Sequence, residues 1–60
     1  MLSQADKDLV RNDFIEWTGG YYPSEVEPQQ IDTYVELARP AHLDPGEVEA
    51  FLYEWAEEPA

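Results

Sequence analysis

Catalysis near neutral pH needs a base or a nucleophile, and this chain holds few of either. His42 is its only imidazole, and it has no cysteine. A nucleophilic triad requires Ser or Cys, a base and an orienting acid. His42 stands in "ARPAHLDP", residues 38–45, two residues before Asp44, where a capping or solvent-facing histidine is the expectation. Pairs of carboxylates can divide acid and base roles, but only in a water-excluding cleft that separates their pKa values. A chain of sixty residues has little room for one. No D-x-[DN]-x-[DN]-G run marks a calcium loop. Zinc would have to be held by His42 and carboxylates alone. "TGGYYP", residues 18–23, pairs two glycines but lacks the lysine and the spacing of a phosphate loop. The chemistry-bearing residues therefore predict no catalytic site, no metal and no cofactor, and the protein is expected not to be an enzyme.

What the chain has in abundance is carboxylate. Fourteen acidic residues face three basic ones, a formal charge of −11. Such a field repels nucleic acid and anionic membranes, which are bound mainly through Lys and Arg. It attracts basic protein surfaces and speeds encounter with them. In "FLYEWAEE", residues 51–58, aromatics alternate with acids, and no Lys or Arg occurs after Arg39. Glu47, Glu54 and Glu58 are spaced i, i+7, i+11, which stacks them on one flank of a helix, with Glu57 further round and Glu49 on the other flank. Acids at a helix's carboxyl end oppose its dipole by about 0.3–1 kcal/mol each. Asp32 and Glu36 repeat the theme one turn apart. Lys7 and Arg11 form the only basic stripe and are expected to pair with the acidic helices.

The elements that carry these charges are read from their punctuation. Ser3 caps a first helix, with Asp6 in its first turn favouring the positive end. Leu9, Val10, Phe14 and Trp17 follow at helical spacing, and Gly19 and Gly20 supply the left-handed stop. Pro28 suits a first helical position and opens a second helix with the stripe Ile31, Tyr34, Val35 and Ala38, closed by Arg39 and Pro40. In "LDPGEV" Asp44 is the cap and Pro45 the first helical residue. Glu47 is placed to reach back as a capping box, and Leu43 and Val48 to staple across it. Pro59 ends the helical potential. No stretch alternates as a strand, and nothing repeats at solenoid spacing. The expected fold is all-α, a small three-helix bundle in a single domain spanning 1–60, with helices at about 4–18, 28–39 and 45–57.

Sixty residues bury only about 60% of the surface exposed by the unfolded chain, so the apolar stripes are barely sufficient. Phe14, Trp17, Phe51, Leu52 and Trp55 are accordingly core candidates. Asp13, between Leu9 and Trp17 on the wheel, is expected to accept a hydrogen bond from a helix end, a tyrosine or an indole. Ile15, Leu37 and Tyr53 project off the stripes, and Tyr21 and Tyr22 sit in the first interhelical segment. No apolar run exceeds four residues, and "MLSQADKD" has neither the basic start nor the apolar centre of a signal peptide, so a cytoplasmic protein is expected. The functional expectation is a non-enzymatic interaction module that docks a basic protein. Glu47, Glu54, Glu57, Glu58, Asp32 and Glu36 would supply attraction, and Tyr21, Tyr22, Leu37 and Tyr53 apolar anchors. The alternatives are a DNA mimic that occupies a nucleic-acid-binding protein, and a structural or homodimerising unit whose charge serves solubility.

Overall fold

The computed structural model describes residues 1–58. Among them there are three helices and no strand: α1 (Gln4–Thr18), α2 (Pro28–Leu37) and α3 (Pro45–Glu57), with a 3₁₀ turn (Pro23–Glu25) between the first two. This is the all-α three-helix architecture expected from the punctuation. The Cα radius of gyration, 10.3 Å, matches the roughly 10 Å of a compact chain of this length.

The caps explain where the helices begin. Ser3 Oγ accepts from Asp6 N at 3.1 Å, and Asp6 Oδ2 accepts from Ser3 N at 3.3 Å, closing a reciprocal box around two otherwise orphaned amides. Asp44 Oδ2 accepts from Glu47 N at 3.1 Å, with Pro45 next in line as the first helical residue. Glu47 does not complete a second box. Its carboxylate pairs instead with the N-terminal ammonium of Met1, a stronger partner than a neutral amide. At the end of α1, Gly19 takes φ 82°. The amides of Gly19 and Gly20 then bond back to Glu16 O and Ile15 O at 3.2 and 2.8 Å, the paired bonds of a Schellman ending.

α2 is shorter than its periodicity implied, ending at Leu37 rather than at residue 39. Arg39 precedes a proline, which disfavours helical dihedrals there. The chain breaks one residue earlier still, with Ala38 in the left-handed region at φ 50°. Ala38 thereby leaves the apolar stripe and is exposed, while Pro40 turns inward and is buried.

The core is one cluster of Leu2, Val10, Phe14, Ile31, Tyr34, Val48, Phe51 and Leu52. Phe14, Tyr34 and Leu52 are wholly buried. Phe14 sits edge-on to Tyr34 with ring centroids 5.0 Å apart, and edge-on to Trp55 at 6.2 Å, so one α1 side chain touches both other helices. Trp17 and Trp55 are half-buried and pack around the cluster rather than inside it. Leu9 is 41% exposed, against expectation, because it lies about 100° round the helix from Val10. Leu2, just before the Ser3 cap, takes a core place instead, joining the N-terminus to α3. No buried side-chain nitrogen or oxygen among the described residues lacks a hydrogen-bond partner.

Candidate protein-interaction surface

Two polar ties lock the helices to one another, and together they decide which charges are left over. The first centres on Asp13. Tyr34 Oη donates to Asp13 Oδ2 at 2.6 Å, and Arg39 donates from Nε to Oδ2 at 3.0 Å and from its terminal nitrogen to Oδ1 at 3.2 Å. The guanidinium hydrogen bonds hold the Asp13 carboxyl below its usual range, partial burial opposing them and the Tyr34 bond adding to them. Burial and the bond to Asp13 push the Tyr34 phenol well above its ordinary value. Because α2 ends at Leu37, Arg39 serves not as a dipole partner of its own helix but as a clamp across to α1. The second tie joins α3 to α2, where Tyr53 Oη donates to Asp32 Oδ1 at 3.0 Å. That bond, with the nearby charges of Asp32 and Glu49, raises the Tyr53 pKa.

The cations gather around α1. Lys7 and Arg11 do not pair with the acidic helices as expected. Arg11 pairs with Asp8 on its own helix at 3.6 Å. Its Cζ lies 5.2 Å from the Phe51 ring centroid and 5.8 Å from that of Trp55, while Lys7 Nζ is 6.0 Å from Phe51. Both basic residues thus contact α3 through aromatic faces, an attraction of ring quadrupole and cation. His42 Nε2 stands 4.0 Å from Asp6 Oδ1 with most of its ring in solvent, a position beside the α1 cap rather than in a cleft.

The carboxylates proposed as a docking set fall into three groups. Glu47 and Glu54 border a shallow cavity of about 240 Å³ beside Met1, Leu2, Lys7 and Phe51, where the N-terminal ammonium pairs with Glu47. Glu57 and Glu58 are exposed at the end of α3, with no cation in its last turn. Asp32 and Glu36 are exposed on α2, and the Tyr53 bond brings Asp32 beside the Glu49–Tyr53 flank of α3. Asp32, Glu36, Glu49 and Glu57 make no ion pair among the described residues.

The anchors also differ in setting. Leu37 is 54% exposed at the end of α2. Tyr53 is half-buried against the core, so its ring is already partly used. Tyr22 is exposed on one side and leans on Trp55 on the other, with centroids 5.9 Å apart. Tyr21 is 55% exposed and borders an open groove of about 430 Å³ with Trp17, Glu25, Val26, Glu27 and Gln30. Sequence reasoning missed this groove, because "YYPSEVEP" has no periodicity and the side chains meet only after the 3₁₀ turn folds them together. The concentration of tyrosine and glutamate in that segment was the one available signal.

Comparison with protein-family models, curated proteins and solved structures finds no match. No helix among the described residues is long and apolar enough to cross a membrane.

Proposed function

We propose that this chain is a small, non-enzymatic interaction module that docks a basic protein surface. The observation that supports this reading is the uneven placement of charge. Lys7 and Arg11 are on α1 and Arg39 is clamped to it, whereas Asp32, Glu36, Glu49 and Glu57 on α2 and α3 make no ion pair among the described residues. A fold stabilised by its surface ion pairs would distribute its few cations among the acids. Here they are spent on the aromatic faces of α3 and on Asp8 and Asp13 of α1. The α2–α3 face keeps an anionic field suited to steering and registering a cationic partner. Leu37 and the outward part of Tyr53 are its apolar contacts, and Glu54, Glu57 and Glu58 extend the field along α3.

The test is association kinetics with a basic protein captured on the immobilised chain from nuclease-treated native lysate. Reversal of Asp32 and Glu36 to Lys, and separately of Glu54 and Glu58 to Lys, is expected to slow association and flatten its dependence on salt. Unchanged kinetics in both double variants would sink the reading. Displacement of that partner by free DNA would instead mark the surface as a mimic of a phosphate array, and concentration-dependent unfolding would mark self-association.

A further inference from the structure

The groove between the end of α1, the 3₁₀ turn and the start of α2 brings aromatic side chains and carboxylates together. Its walls include the aromatic residues Trp17 and Tyr21, and its border includes the carboxylates Glu25 and Glu27. Among the described residues, none that lines it is basic. Its volume, about 430 Å³, lies in the range of small-ligand sites. Aromatic faces attract cations, indole most strongly, and a carboxylate beside them adds a charge-assisted hydrogen bond. The chemistry that fits is a positive head on an apolar stem.

The groove is also held in place before anything binds. Thr18 Oγ1 donates to Tyr21 O at 2.8 Å and accepts from Tyr21 N at 3.1 Å, which fixes the backbone after the two glycines. Trp17 is braced by Tyr34 and Phe14, with centroids 5.4 and 5.9 Å away. Glu25 Oε1 accepts from Tyr22 N at 3.1 Å, and Glu27 Oε2 accepts from Gln29, so each carboxylate is oriented through one oxygen and keeps the other. A preformed site loses less entropy on binding.

We propose that this groove seats one arginine or lysine side chain of a basic protein partner, its stem along Trp17 and Tyr21 and its head against Glu25 and Glu27. This rests on the docking reading above and adds to it a second contact, away from the α2–α3 face, that selects for a particular side chain rather than for overall charge.

The probe is a short acetylated Gly-Ser-Arg-Ser-Gly amide, with a citrulline version as the neutral isostere, added to ¹⁵N-labelled protein. The chain has two indole N–H resonances, and only Trp17 borders the groove. The arginine peptide is expected to shift the Trp17 indole and the Val26 and Gln30 amides while the Trp55 indole stays fixed, and the citrulline peptide to shift none of them. Glu25→Gln with Glu27→Gln is expected to weaken binding about three- to tenfold, two exposed ion pairs' worth. Tyr21→Ala, a solvent-exposed change, is expected to weaken it as well. Equal shifts with citrulline, shifts confined to the amides of α3, or no shift at Trp17 would overturn the proposal. The two readings separate cleanly. If Glu25→Gln/Glu27→Gln leaves the whole basic partner bound while Asp32→Lys/Glu36→Lys releases it, the groove fails and the module stands. If the arginine peptide seats at Trp17 but charge reversal on α2 and α3 changes nothing, the groove stands and the module's face fails.

Discussion

Tyr34, wholly buried in α2, donates its phenolic proton to Asp13 of α1 across 2.6 Å, and this bond joins the aromatic core to the carboxylate clamped by Arg39. Removing either end should have unequal consequences. Tyr34→Phe keeps the ring and leaves Asp13 its guanidinium, so urea unfolding should report a loss of about 1 kcal/mol. Asp13→Ala strands a buried hydroxyl and should lose more, up to about 3 kcal/mol. A chain this short has only a few kcal/mol of total stability, roughly 3–9, so the second variant should be close to unfolding at 37 °C. Equal losses would mean that the buried hydroxyl finds another partner.

Stability should pass through a maximum in mildly acid solution. From pH 7 downward, protonation of exposed carboxylates relieves the self-repulsion of the −11 chain and favours the compact state. Asp13 works the other way. Its folded pKa lies below its ordinary 3.8, so its contribution is complete above that value and is lost as pH falls through the folded pKa. Denaturant midpoints from pH 7 to pH 2 should therefore rise and then fall, and Asp13→Asn should remove the acid-side fall. Added salt at pH 7 should raise the midpoint by screening the same repulsion.

Alkaline solution should destabilise the fold through its tyrosines. Tyr34 and Tyr53 both have folded pKa values raised above 10.0, so the stability they contribute is complete below that value and declines as pH rises past it. Tyr34→Phe should remove much of this decline, because the buried phenol is the one whose ionisation the fold opposes most. A midpoint that stays level between pH 9 and pH 12 would contradict this account.

Ala38→Gly should stabilise the protein. A residue with a Cβ in the left-handed region is strained by about 1–2 kcal/mol, and glycine is not. The added freedom of glycine in the unfolded chain offsets roughly 0.4–1 kcal/mol. A net gain near 0.5–1 kcal/mol in thermal or urea unfolding is expected, with no change in the Arg39–Asp13 clamp.

Reversal of Glu57 and Glu58 to Lys should move stability and association in opposite directions. Positive charge at the end of α3 favours its dipole, by roughly 0.3–1 kcal/mol where well placed. The same change weakens the field proposed to draw in a partner. A higher melting temperature with slower association would show that these acids serve something other than the fold. A gain in both would argue that they are incidental.

Much of the framework was legible because local chemistry specified it. Ser3, Pro28 and Asp44-Pro45 mark helix starts by satisfying or lacking particular amides, and those starts appear where the residues place them. Asp13 was legible too, as a carboxylate on an apolar face that had to find donors, and it found a tyrosine. The end of α2 was not, because alanine carries no sign of a left-handed turn. The core place of Leu2 and the exposure of Leu9 were hidden for a similar reason. A residue outside the periodic run gives no angle on the wheel, and one at the stripe's edge is decided by what packs opposite. Toward α3, Lys7 and Arg11 found aromatic rings rather than acids, a choice that depends on which face of α1 meets α3. The groove at Trp17 depends on how a loop returns across a helix end, which spacing along the chain does not encode.

Holding Arg39 against α1, where Lys7 and Arg11 already lie, has a consequence for motion in solution. The three basic side chains lie on the α1 side of the molecule while α2 and α3 carry carboxylates alone, an arrangement that would give it an electric dipole besides its net charge. In the proposed docking, a cationic surface would then exert a torque as well as a pull, turning the α2–α3 side toward it before contact and shortening the rotational search.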